Sequence, residues 1–415
     1  MHHNINRGHG RIFSGALALA AALTLSVPAR ADNANVTVYG QVNVSYDVLN
    51  TGTSIGFGAT EGISSSRVSS NSSFLGLKDT NELGSGWSAQ WQAELTLGTD
   101  TGASGGTADG SSVRAARLFD RNTYLGLANA GWGKLLMGRH DTPYKISTRR
   151  LDVFADGIGD NRSLMGTTVL GGTGGTVTET FDVRLSNLIA YFSPDMGGIS
   201  VAIAYSNLSE SNTTANQEKL SATSLAVMYE DGPVYASLAY EAHTSTIKQT
   251  SLLQADKSNS VKATRLGLGY KLGFLDLGVV LEKSGDDFGN VNAVSATNPC
   301  GNMKEGANCS GHSTYYWSAK FNLSDNDALK LAQGKAGQVG AADIDTGAIQ
   351  FTMGIDHVIN KRTTAYALYT SLKNDIRAHY ALSSAASSGG PSSVNGTGWG
   401  GAAPTAFSFG IRHSF

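Results

Sequence analysis

The chain holds only two cysteines and seven prolines in 415 residues. Two thiols cannot build a disulfide scaffold. Only His312 adds an imidazole near Cys300 and Cys309, so a structural zinc set is not assembled there. With so little proline there is no Pro-rich linker, and no abrupt change of composition divides the chain. Charge of one sign is also missing. Lys and Arg number 31 against 33 Asp and Glu, without the basic excess that binding nucleic acid requires. No H-E-x-x-H, P-loop or EF-hand spacing is present, and nothing in the sequence calls for a cofactor. After residue 27 no stretch approaches the roughly 18 apolar residues of a membrane helix.

The one apolar run is at the amino terminus. Arg7 and Arg11 precede Ile12–Val27, and Ala29-Arg30-Ala31 supplies a small-x-small cleavage site. This pattern predicts a signal peptide over residues 1–31 and an exported chain beginning at Asp32.

What fills the remainder is alternation with a period of two, which sends successive side chains to opposite faces of a strand. Val36, Val38, Val42, Val44, Tyr46 and Val48 share one parity; Thr37, Tyr39, Gln41, Asn43, Ser45 and Asp47 share the other. The pattern returns at Leu75/Leu77, Val201/Ile203/Tyr205, Leu225/Val227/Tyr229, Leu266/Leu268/Tyr270, Leu275–Leu281 and Ile349–Ile355. It closes the chain at Phe407, Phe409, Ile411, His413 and Phe415. Tyr46, Tyr205, Tyr229, Tyr240, Tyr270 and Tyr366 near strand ends suit interfacial girdles.

The connections sort by length. Short turns fall at Asp79–Gly86, Asn129–Gly131, Ser193–Gly198, Glu230–Gly232, Leu272–Gly273, Ser324–Asp327 and Ile359–Lys361. Long polar loops occupy roughly 50–65, 98–115, 141–182, 207–219, 245–259, 284–312, 335–345 and 373–403. Fifteen connections imply sixteen strands. Short turns at one end and long loops at the other are the pattern of an outer-membrane barrel. Closure also leaves no sheet edge for lipid, which cannot hydrogen-bond it. The fold class expected is all-β, a 16-stranded antiparallel transmembrane β-barrel over residues 32–415.

Several ordered motifs carry a family resemblance across nearly the whole exported chain: Val36-Thr-Val-Tyr-Gly40, Phe74-Leu-Gly-Leu-Lys78, Arg121-Asn-Thr-Tyr-Leu-Gly-Leu127, Leu136-Met-Gly-Arg139 before Thr142-Pro143, Tyr191-Phe-Ser-Pro-Asp-Met-Gly-Gly198 and Gly410-Ile-Arg-His-Ser-Phe415. Together they resemble the trimeric general porins of Gram-negative outer membranes, of the beta-proteobacterial type. The resemblance implies a homotrimer in outer-membrane lipid and lipopolysaccharide that passes ions and small hydrophilic solutes. It also implies that Phe415 is the terminal signal read by the outer-membrane assembly machinery.

The resemblance further implies that the third loop, about Asp141–Asp182, folds into the lumen. Its Asp152-Val-Phe-Ala-Asp156-Gly157 stretch would face a basic wall of Lys78, Arg121 and Arg184. Opposed charges across a narrow aqueous passage create a transverse field, which with pore width decides what passes. Arg149 and Arg150 join this expected constriction, with Lys145, Arg162 and Asp160 beside them; these loop charges also suit pairing with one another. One departure stands out: Phe74 occupies a position where the family usually has Arg, and Arg67 is a candidate substitute. The basic wall gives a weak lean towards anions. Outside the cytoplasm, Cys300 and Cys309 are close enough in sequence to form a disulfide stapling the sixth outer loop. Two other classes stay open: a barrel enzyme, and a structural or adhesive barrel or component of a larger complex.

Overall fold

The computed structural model describes residues 36–55, 61–99, 118–170, 176–179, 181–208, 219–247, 257–286, 311–339, 345–376, 378, 380–382 and 400–415. The expected signal peptide, Cys300 and Cys309 lie outside the described residues.

Sixteen strands follow one another around the sheet: β1 (Thr37–Asn50), β2 (Ser64–Ser70 and Phe74–Gly84), β3 (Trp87–Thr96), β4 (Thr123–Asn129), β5 (Gly133–Asp141), β6 (Arg184–Phe192), β7 (Ile199–Asn207), β8 (Lys219–Asp231), β9 (Val234–Ile247), β10 (Lys257–Lys271), β11 (Leu275–Asp286), β12 (Ser313–Asn322), β13 (Asp327–Ala336), β14 (Ala348–Asn360), β15 (Thr363–Asn374) and β16 (Thr405–Ser414). β2 is broken at 71–73, where Ser72 takes φ 56°, and both of its segments pair with β1. Every neighbour is antiparallel, and β1 pairs with β16 to close the barrel. The last residue is locked into this seam: Gly40 N–H donates to the Phe415 carbonyl and Phe415 N–H to the Gly40 carbonyl, each at 3.1 Å. Gly40 is required there, because a Cβ would meet the Phe74 carbonyl oxygen at 2.5 Å and the Phe415 ring at 2.6 Å.

The alternation read from the sequence is the inside–outside alternation of the wall. Ile203 and Tyr205 are about half exposed on the outer face, whereas Ala202 and Ala204 between them are buried inside. Phe407, Phe409 and Ile411 point outward and Ser408 is buried within. Seven connections at one end have six residues or fewer, and the others have nine or more, as the sorted loops require.

Three local expectations are corrected. The polar run Asp79–Glu82 reads as turn, but it pairs with Ser88–Trp91, so β2 continues to Gly84 and the turn is only Ser85–Gly86. Arg121 does not open β4, which begins at Thr123; it lies in the approach, its N–H donating to the Glu94 carbonyl. Tyr366 points into the barrel, because it shares parity with Leu368. There its hydroxyl donates to Asn43 Oδ1 at 2.9 Å and its ring covers Gly410.

The third loop builds structure of its own. Thr142 caps helix α1 (Pro143–Arg149), accepting from Lys145 N–H, with Pro143 in the first turn and Arg149 in the last. A short hairpin, Thr167–Leu170 with Thr176–Glu179, follows later in the loop.

Candidate functional site

The third loop lies against the inner wall. Ser318 Oγ donates to the Leu151 carbonyl at 2.7 Å, and Tyr316 Oη donates to Asp152 at 2.7 Å. Gly267, Gly278, Gly334 and Gly354 leave room for the loop, since a Cβ at each would come within 3.0 Å of Thr148, Leu151, Leu164 or Phe154. The strands supply glycine on their inward parity where the loop passes.

A buried ionic clamp holds both ends of this excursion. Arg265 on β10 pairs with Asp182 at 2.6 Å and with Glu282 on β11. Glu282 also accepts from the Tyr144 hydroxyl at 2.6 Å and from Gly166 N–H at 2.9 Å. Arg265 is 2% exposed. Such a group tolerates burial only while its carboxylates and hydrogen bonds are in place. Because Tyr144, Gly166 and Asp182 all belong to the loop, the clamp sets how far the loop reaches into the lumen.

Within the loop, charges pair as the sequence allowed. Arg149 reaches Asp160 at 2.7 Å, Asp156 at 2.8 Å and Asp152 at 3.8 Å, and Arg162 reaches Asp160 at 3.0 Å. Asp152 is buried. It accepts from Phe154 N–H and Asn161 N–H besides Tyr316, so it shapes the loop rather than its free surface. Burial, then Asp160, pushes the Asp152 carboxyl up to about 6. Burial also opposes ionisation of Asp160, but Arg149 and Arg162 outweigh it and hold that carboxyl well below the usual range. Asp156 differs: it is partly exposed at φ 66°, and its charge is felt at Arg121. Arg150 leaves the group altogether. It pairs with Glu230 at 2.5 Å, beside the short turn after β8.

The expected wall residues are joined by contacts along one arc. Lys78, exposed on the inward parity of β2, has its ammonium 4.8 Å from the centre of the Tyr39 ring. Tyr39 donates to Glu94 at 2.8 Å and meets Phe74 edge-on. Arg121 stands over Phe74, 4.8 Å from the ring centre and 4.0 Å from Glu94. Burial and the nearby Arg184 lower its pKa, although a guanidinium stays charged at any working pH. Arg184 donates to Asn122 Oδ1 at 2.7 Å and pairs with Asp141 at 3.0 Å, and Lys145 pairs with the same Asp141 at 3.0 Å. Arg67 lies elsewhere, 3.6 Å from Asp47.

Sequence reading missed Glu94, Asn122 and Asp141 as members of this arc. Strand parity was the available signal for Glu94, which shares its inward face with Gln92 and Gln90. It also passed over Gly52-Thr-Ser54-Ile-Gly56, which spells the nucleophile-elbow pattern. Ser54 is buried in the loop after β1, donating to the Gly400 carbonyl at 3.0 Å.

A closed barrel with an oily exterior, a polar lumen and a loop narrowing that lumen defines a membrane channel. The chain belongs to the Gram-negative porin family, whose model matches residues 16–377. It is 26% identical to outer membrane porin protein 32 of Delftia acidovorans over 369 residues, covering 86% of this chain and 89% of that one. Among solved structures, an anion-selective porin from Comamonas acidovorans superposes with a TM-score of 0.68 at 22% identity, over 92% of this chain and 99% of that one. The trimer form of OmpT from Vibrio cholerae superposes at 0.58 with 15% identity, over 92% and 99%. The protein is therefore an outer-membrane channel for passive diffusion of solutes, not an enzyme.

Proposed function

We propose that this porin prefers anions, and that the preference is set where the third loop faces the arc of Lys78, Arg121 and Arg184. Lys145 adds a fourth cation from the loop itself, while Glu94 and Asp141 are the carboxylates in contact with the arc. The observation that carries the reading is this imbalance: four cations against two carboxylates on one side of the passage. Across the passage, Asp156 is the loop carboxylate with an exposed face, and Arg149 and Arg162 draw much of its field inward. Asp152 and Arg150, expected at the constriction, act instead as a loop support and a turn-side contact. The anion-selective porin of similar fold is consistent with this sign.

The test is Arg184→Glu in a planar bilayer under a salt gradient. The zero-current potential should move towards cation preference. An unchanged potential removes Arg184 from the selective passage.

The same reading includes export by a signal peptide over residues 1–31, testable by mass of the exported chain. It also includes a homotrimer seated in lipid and lipopolysaccharide, delivered by the assembly machinery through Phe415. Pairing of Cys300 with Cys309 is proposed as a staple of the sixth outer loop, and a mass shift on reduction and alkylation reads it.

A further inference from the structure

On the short-turn side of the third loop, a cavity of about 420 Å³ opens between that loop and the wall of β9–β14 and β16. Its floor is a row of charges set by strand register. Lys271 lies opposite Asp276, Asp276 opposite Lys320, and Lys320 opposite Lys330. Arg412 on β16 lines the same cavity. Lys271–Asp276 and Asp276–Lys320 are favourable cross-strand pairs, but Lys320 and Lys330 directly opposite each other oppose pairing.

Nor are its charges matched. Four cations face two carboxylates, Asp276 and Asp356. Lys330 is taken by Asp356 at 2.7 Å, and the Arg150 of the loop above is taken by Glu230. Among the described residues, the side chains of Lys271, Lys320 and Arg412 make no ion pair or hydrogen bond. Three cations sharing the one carboxylate of Asp276 around a concave, partly enclosed volume leave an excess of positive charge that focuses a positive potential into it. Ammonium and guanidinium donors together suit an oxyanion bearing more than one charge.

We propose that this row is a second anion subsite, separate from the arc at the constriction, which binds small multivalent oxyanions with inorganic phosphate as the simplest member. It rests on the channel reading only in requiring that solute reaches the row through the lumen. An anion that has passed the loop would be held between Lys271, Lys320 and Arg412, with Asp276 limiting its residence by repulsion.

The experiment measures chloride current through single channels while inorganic phosphate is added to the compartment facing the short turns. Phosphate should reduce the current in a saturable way. Lys320→Gln combined with Lys271→Gln should raise the half-blocking concentration about tenfold, and Asp276→Asn should lower it. Arg184→Gln should alter chloride preference yet leave a phosphate block from the turn side. Titration calorimetry of the detergent-solubilised protein with inorganic phosphate reads the same site without any conduction, so a failure of the channel reading does not hide the result. The subsite is overturned if phosphate neither blocks nor binds. It is equally overturned if Arg184→Gln abolishes the effect while the Lys320 and Asp276 variants leave it unchanged.

Discussion

The guanidinium of Arg121 lies 4.8 Å from the centre of the Phe74 ring, so the residue that breaks the family's run of wall cations supports a cation supplied from the next loop. Phe74 cannot contribute charge, but its face gives Arg121 a platform that costs no hydrogen-bonding partner. A cation–π contact of this kind is worth about 0.5–2 kcal/mol, more as water is excluded. An uncharged side chain thus holds an arginine in place beside Glu94.

Phe74→Leu should therefore loosen Arg121 without removing its charge. The expected outcome is a noisier open state with the zero-current potential nearly kept. Phe74→Arg should add a cation to the arc and move that potential further towards anions, most visibly at low ionic strength where screening is weak. A potential that stays put in Phe74→Arg would show that position 74 does not face the ion path.

Removing the clamp should free the loop. Arg265→Met leaves Asp182 and Glu282 buried without their counter-ion, a loss on the order of 3–5 kcal/mol. The measured result should be a larger and less uniform single-channel conductance, together with protease sensitivity within residues 142–183. Steps identical to wild type would mean that the loop is held by its apolar contacts alone.

Acidity should strengthen anion preference. The Asp152 carboxyl is raised to about 6 by burial and by Asp160, so it is largely ionised near neutral pH and loses its charge as pH falls through about 6. The proton it takes up removes one negative charge from within the third loop. Between about pH 7.5 and pH 5 the zero-current potential should move towards anions, and Asp152→Asn should flatten that change. A shift of the same size in the variant would assign it to other groups.

Closure at the seam depends on Gly40. A Cβ there would meet the Phe74 carbonyl oxygen and the Phe415 ring at under 3 Å, so Gly40→Val should lower the temperature at which the folded barrel loses its heat-resistant mobility on gels. Phe415→Ala removes the ring but leaves the backbone pair with Gly40, and should reduce insertion in cells more than stability of the refolded protein. Equal losses in both assays would make Phe415 a packing residue only.

The strand faces were legible because a period of two survives whatever the neighbours are: Ile203 outside and Ala202 inside follow from the sequence around them. Loop lengths carried the strand count for the same reason. Other features depend on distant partners. Asp152 reads as a pore acid until Tyr316, far along the chain, is seen donating to it. Tyr366 reads as an interfacial aromatic until its parity with Leu368 is fixed by pairing with β16. Lys78, Arg121 and Arg184 were found through motif order, whereas Asp141 and Glu94, which partly neutralise them, sit in ordinary strand text. Register alone lines up Lys271, Asp276, Lys320 and Lys330.

The measurement that bears most directly on the central claim is the zero-current potential of the wild-type channel in a steep potassium chloride gradient at neutral pH. An excess of cations along the Lys78–Arg121–Arg184 arc predicts that chloride crosses faster, leaving the dilute side negative. A dilute side that becomes positive would contradict it.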